Sequence, residues 1–153
     1  MVFQYVSFSI SIGFISFMVG MTINAFLRKT EFYKATLSSL NFIKSERLNK
    51  AIGLAGFKWI IKNTFLKFFN QKLKLNRKAE KSDLYKLREE MTISEIDHLI
   101  GFIFVSIFAV VKFYNHNFLF GLIIMLVNIV MNLYPSLLQQ ENKRRIDKFL
   151  QKL

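Results

Sequence analysis

Residues 99–134 read LIGFIFVSIFAVVKFYNHNFLFGLIIMLVNIVMNLY, and this stretch decides the fold. Its only charge is Lys112. A bilayer core about 30 Å thick takes about 20 apolar residues of helix, with about 17 at the short end. Leu99–Tyr114 and Phe118–Tyr134 meet that requirement. Between them Asn115-His116-Asn117 forms a polar turn, so tight that two helices joined by it must run antiparallel. Lys112 sits within a turn of this loop and can snorkel outward. Two membrane spans are expected, with a re-entrant hairpin as the alternative.

Outward from the hairpin, charge and apolar residues are sorted along the chain. Val2 to Leu27 carries no charge, and its polar residues (Gln4, several Ser, Thr22, Asn24) can bond back to the helix or to a neighbour. No basic residue precedes this run, and it ends on Phe26-Leu27-Arg28-Lys29 rather than at a small-residue cleavage site. An uncleaved membrane helix is therefore expected in place of a signal peptide. Arg28 to Asp97 holds 16 Lys or Arg against 8 Asp or Glu, and the tail after Tyr134 holds 5 against 2. A net charge of +12 beside 52% apolar content suits a chain whose apolar parts lie in lipid and whose basic parts lie at anionic headgroups.

The expected fold is all-α, a single membrane domain over 1–153. The first helix spans 2–27, a basic cytoplasmic or interfacial segment 28–97, a helical hairpin 98–135 and a basic tail 136–153. The positive-inside rule places the N-terminus outside and every basic stretch in the cytoplasm. The 153 residues include no cysteine, which excludes disulfides, thiolate metal sites and cysteine nucleophiles. No metal site and no cofactor are expected.

Gly56 to Phe69 mixes cations with large rings. Lys58 and Lys62 are four apart on one helical face, and Trp59, Phe65 and Phe69 supply ring area suited to the headgroup boundary. The reading is an amphipathic helix in the inner interface. Beside three hydrophobic segments its anionic partner is lipid phosphate, not nucleic acid. Asn76 to Asp83 reads as a polar loop before a helix from about Leu84.

Two clusters bear on chemistry. In Glu90-Met91-Thr92-Ile93-Ser94-Glu95-Ile96-Asp97-His98, Glu95 and His98 are three apart and share a helical face. A carboxylate beside an imidazole can orient it as a general base. The bland alternative is an interfacial helix start that contains a His. In the second cluster, Asn128, Asn132 and Gln139 fall on one stripe of an ideal helix, with Asn142 near it. Amides in lipid are costly, so the stripe should face protein or a polar cavity. Pro135 should kink this helix, and Arg145 beyond it could grip a phosphate. Helix packing with a basic anchor explains this cluster equally well. An antiparallel hairpin brings the two clusters to one end. His116 reads as a solvated turn residue.

With these residues in place, the sequence resembles the glycosyl-4,4'-diaponeurosporenoate acyltransferase family of small bacterial membrane proteins. The resemblance covers about Phe57 to Ile146. It is carried by Lys58-Trp59, by Glu90, Glu95 and His98 in Glu-x4-Glu-x2-His spacing, and by Asn132-x2-Pro135 with Gln139, Asn142 and Arg145. It implies transfer of a fatty acyl chain, from a donor such as acyl-CoA, to a sugar hydroxyl of a glycosylated carotenoid in a bacterial inner membrane. The implied partners are membrane lipids, a lipid-like acceptor and the acyl donor. His98 would be the base, with Glu95 or Glu90 orienting it. Asn132, Gln139 or Asn142 would face the developing oxyanion, and Arg145, Lys58 and Trp59 would hold substrate. A non-catalytic membrane scaffold and another lipid-modifying enzyme are the rival functions.

Overall fold

The computed structural model describes residues 1–40, 42, 53–63 and 80–152. Among them the elements are helices α1 (Val2–Leu27), α2 (Glu31–Ala35), a 3-10 turn (Leu37–Ser39), α3 (Leu54–Asn63), α4 (Lys81–Tyr114), α5 (Phe118–Asn128), a π turn (Ile129–Leu133) and α6 (Tyr134–Leu150). No strand occurs among the described residues. Among the described residues, three helices are long and apolar enough to cross a membrane: Val2–Leu27, Lys81–Tyr114 and the continuous run Phe118–Leu150.

Side-chain neighbours fix how the three run. Along α1, Ile12 clusters with Val105 and Ala109, Ser16 lies by Gly101, and Asn24 reaches Asp97 and Ile93. Numbers rise on α1 as they fall on α4, so the two are antiparallel. Tyr5 stacks on Phe120 at 4.1 Å between centroids, and Ser16 bonds Asn132, so α1 runs parallel to the third helix. One end of the bundle therefore holds the N-terminus and the 115–117 turn. The other collects the end of α1, the start of α4 and all of α6.

That turn is closed by its own backbone. Asn117 N–H donates to Lys112 O at 2.9 Å, and His116 adopts the left-handed region at φ 56°. His116 is exposed, as the sequence implied. Lys112 does more than snorkel: its ammonium lies 4.8 Å from the centroid of the Phe120 ring.

Buried apolar clusters share the interior with many polar side chains, while large apolar residues cover the outside, unlike a soluble protein. Ser9, Ser16, Asn24, Asn128 and Asn132 are fully buried, while Phe14, Met18, Ile103, Val110 and Leu126 are exposed. In lipid, apolar contact between helices has no hydrophobic drive behind it, so small residues and hydrogen bonds must hold the helices together. A Cβ built on Gly20 would lie 2.3 Å from the Asp97 carbonyl oxygen, so only glycine lets α1 approach α4 this closely.

Three expectations need amending. The segment 28–97 does not end where the hairpin begins: α4 starts at Lys81 and passes unbroken through residue 98 into the apolar stretch. Its start, three residues before Leu84, is fixed by a capping box in which Glu80 and Asp83 each accept from the other's backbone N–H. The basic aromatic helix is described from Leu54 to Asn63; Phe65, Lys67 and Phe69 lie outside the described residues. It packs Leu54, Phe57 and Ile61 onto Leu137 and Leu138 of α6, and Phe57 stacks on Tyr134 at 4.9 Å. Trp59 stays 67% exposed, as a headgroup-facing ring would. The irregularity expected at Pro135 is a π turn just before it. Pro135 has no N–H to give the Met131 carbonyl, and Tyr134 N–H reaches back five residues to Ile129 O.

Gly20→Ala should force α1 off α4. The expected loss is about 1–3 kcal/mol, the usual range for overpacking. Gly56→Ala, whose Cβ would meet nothing within 4 Å, should cost none. Folded fraction after heating in detergent, read by size-exclusion chromatography, checks both.

Candidate active site

A seam of polar side chains runs down the inside of the bundle. Highest in it, nearest the 115–117 turn, Asn128 Nδ2 donates to Phe102 O at 3.0 Å and to Ser106 Oγ at 3.2 Å. One turn on, Asn132 Nδ2 donates to Asn128 Oδ1 at 2.9 Å and to Ser16 Oγ at 3.1 Å. Asn132 thus ties the third helix to α1, and Gly101 on α4 makes room for it: a Cβ there would be 2.8 Å from Asn132 Oδ1.

His98 adjoins this amide. Its ring meets Phe17 edge-on at 5.4 Å, and it shares a hydrogen bond with the Asn132 side chain. His98 Nδ1 is buried with no partner, so Nε2 is the nitrogen that meets Asn132. The Asn132 amide nitrogen is committed to Asn128 and Ser16, which leaves its oxygen to accept. An Nε2–H donating to that oxygen leaves the lone pair on Nδ1. In that tautomer Nδ1 would be a base with a free lone pair, beside an amide that orients the ring.

Glu95 does not orient His98. It is fully buried and turned to α6, where Gln140 Nε2 donates to Oε1 at 2.7 Å and Lys143 forms an ion pair with Oε2. Lys143 also donates to Leu40 O at 3.0 Å, so the pair ties the chain after the 3-10 turn to α4 and α6. Beyond it Arg88 Nε bonds Asp147 Oδ1 at 2.6 Å. On the α1 side, Asn24 Nδ2 donates to Asp97 Oδ1 at 2.6 Å and Ile93 O at 3.1 Å. Tyr33 of α2 is buried with its hydroxyl unpartnered, and burial pushes its pKa up while the Arg28 charge opposes.

The remaining sequence-stated residues spread around this end. Gln139 is only part-buried and accepts from Asn142 Nδ2 at 3.3 Å. Asn142 is buried against Met91, its amide 3.9 Å from the sulfur. Lys58 pairs with Glu141, fastening α3 to α6. Arg145 is exposed, 3.7 Å from Glu141. Glu90 is exposed and does not join the cluster. The structure thus brings together His98, Asn132 and, a turn away, Glu95, and it leaves Glu90, Arg145 and Trp59 at the surface.

Asn24 and Ser16 bond neighbouring helices, as the polar residues of the first run were expected to be able to do, but sequence reasoning gave them no partners and passed over Asp97, Gln140 and Lys143. Two signals were present. Ser9, Gly13, Ser16, Gly20 and Asn24 recur every three or four residues on one face of α1, the spacing of a close helix contact. The π turn advances the buried face of the third helix by a residue. Hence the seam runs Asn128, Asn132, Ser136, Gln140, all fully or nearly fully buried, and bypasses Gln139.

Residues 29–152 match the family described as glycosyl-4,4'-diaponeurosporenoate acyltransferase. The chain belongs to that family. The match is wider than the 57–146 on which the resemblance rests, and it takes in α2, the 3-10 turn and Leu40. No curated protein and no solved structure matches the chain. For this member of the acyltransferase family the His98–Asn132 pair and the Glu95–Lys143 pair both fall inside the matched region. A shallow apolar hollow of about 440 Å³ on α4, lined by residues including Ile103, Ile107 and Val110, belongs to the outward face and not to this site.

Lys143→Met should strand the Glu95 carboxylate in a dry site. Breaking a buried pair from one side costs about 3–5 kcal/mol. Adding Glu95→Gln to the same chain should recover most of that loss, since the amide oxygen still accepts from Gln140. Chemical unfolding in detergent, read by helical circular dichroism, checks both variants.

Proposed function

We propose that the chain moves a fatty acyl group from an activated donor to a sugar hydroxyl of a membrane-held glycolipid, with a glycosylated carotenoid as acceptor and acyl-CoA as donor. The observation that carries the reading is the unpartnered Nδ1 of His98, buried beside an amide that holds the ring. A polar atom left without a partner in such a place has a cost, so it asks for a ligand. An imidazole lone pair at that position suits removal of a hydroxyl proton, which typically contributes about 10²–10⁴ in rate.

Both substrates are amphipathic, and the site fits them. His98 lies in the half of the bundle where the apolar spans give way to Lys58, Arg88, Lys143 and Arg145. Acyl chains can stay in lipid while polar heads meet the base. We place this end at the cytoplasmic side, since its basic excess follows the positive-inside rule. The membrane is then a bacterial inner membrane, crossed three times with the N-terminus outside. Arg145, exposed, and Lys58 and Trp59 on α3 are favoured for the donor's phosphates and headgroup. Glu95 serves by holding α4 to α6 at the register that sets His98 against Asn132.

A scaffold would also bury a satisfied amide seam, and Asn128 and Asn132 are satisfied within the bundle. It gives no reason for the bare nitrogen of His98.

His98→Gln should lower acyl transfer by about 10²-fold or more without loss of the folded protein. Glu90→Gln should leave it unchanged. The measurement is acylated glycolipid, by mass spectrometry of lipid extracts from cells making each variant with the acceptor. Unchanged product in His98→Gln would remove the base and the reading with it.

A further inference from the structure

Serines buried inside helices have an easy local partner, the carbonyl three or four residues back. Ser9 takes Tyr5 O at 2.7 Å, Ser16 takes Gly13 O at 2.6 Å, and Ser106 takes Phe102 O at 2.7 Å. Thr92 does the same with Arg88 O at 2.9 Å. Ser136 does not. It is fully buried, and its hydroxyl has no partner.

Its place in the register gives this meaning. On the third helix, Asn132 meets His98 and Gln140 meets Glu95. Ser136 is midway between them on the same buried face. By register Ser136 faces α4 near His98, between the Asn132–Gly101 and Gln140–Glu95 contacts, and its hydroxyl and His98 Nδ1 are both buried and bond neither each other nor any other described group. The imidazole is already held from its other nitrogen by Asn132. A nucleophile, a base and an amide that orients the base make up the arrangement of covalent acyl transfer.

We infer that Ser136 is an acyl-carrying nucleophile, with His98 as its base and Asn132 as the positioning residue. This rests on the acyl-transfer reading and replaces direct attack by two steps. First, Ser136 Oγ bonds to the carbonyl carbon of an acyl thioester as its proton passes to His98 Nδ1. The carbon–sulfur bond breaks, and the thiol leaves with that proton. Second, the sugar hydroxyl bonds to the same carbon and gives its proton to Nδ1. The carbon–Oγ bond breaks, and Ser136 recovers the proton. The absence of cysteine from the chain is then no bar to a covalent route.

The test uses the full chain in lipid nanodiscs with palmitoyl-CoA and a lipid extract containing the glycosylated acceptor. Without the extract, wild-type protein should gain one palmitoyl group on the peptide containing Ser136, and adding the extract should discharge it. Ser136→Ala should lose the adduct and lower transfer by about 10²-fold or more. Ser136→Cys should regain an adduct, now labile to neutral hydroxylamine, which separates lost chemistry from lost folding. Wild-type protein that acylates the extract but never carries the adduct overturns the inference. So does Ser136→Ala with undiminished transfer. If His98→Gln is impaired in that case, the acyl-transfer reading stands and only the nucleophile is withdrawn. If His98→Gln is also unimpaired, the reading falls as well.

Discussion

A polar group inside a bilayer must find its partner within the protein. That constraint organises this molecule. The outward faces of the three long helices are apolar and would be content in lipid singly. What draws them together is the set of groups that would not: Ser16, Asn24, Asp97, Asn128 and Asn132. Asn132 is the centre of the set, because its amide alone bridges the third helix to α1 while touching His98 on α4. Glycines at 20 and 101 let the backbones close to the distance these bonds need. Packing and hydrogen bonding are therefore one design. A larger residue at the contact would leave amides stranded, and a lost amide would leave the close contact without a purpose.

The seam is left incomplete at one end. Near the 115–117 turn, Asn128 bonds a carbonyl and a hydroxyl of α4. Toward the basic end, bare atoms appear: His98 Nδ1, Ser136 Oγ and Tyr33 Oη. This is the end where charged groups enter from α3, α4 and α6. The buried Glu95–Lys143 pair fits a registry role better than a catalytic one. Buried pairs gain little net stability, but they penalise any arrangement that separates them. A slip of α6 along α4 would part Lys143 from Glu95 and Asn132 from His98 together.

The sequence disclosed architecture better than site. Charge-free runs of spanning length announced the helices, and Asn115-His116-Asn117 announced the hairpin, because such signals are local. Asn132 and His98 were also legible, since amides and imidazoles at spanning positions need reasons. The pairing of Glu95 was not. Three-residue spacing on a helix put it beside His98, but a long side chain chooses between faces by what the neighbouring helix offers, and Gln140 with Lys143 offered more. Gln139 was named in place of Gln140 because an ideal helix was assumed through Pro135, and the π turn moved the face by one residue. The α1 contribution was read only as polar groups able to bond a neighbour, with no partners assigned, for a different reason. Its serines and glycines are individually ordinary, and only their spacing against α4 and the third helix gives them a role.

The docking of α1 on the third helix is the claim on which the seam, and so the site, depends. The chain has no cysteine, so a pair can be introduced without background. A Cβ on Gly13 would lie 3.9 Å from Met131 Cβ, close to the disulfide mean of about 3.8 Å. In membranes treated with a mild oxidant and then dissolved in denaturing detergent, Gly13→Cys with Met131→Cys should be fully protected from maleimide-polyethylene glycol, and reductant should restore both thiols. The pair Phe14→Cys with Met131→Cys, whose first residue faces outward, should stay reactive. Free thiols in the first pair, or equal protection in both, would contradict the packing described here.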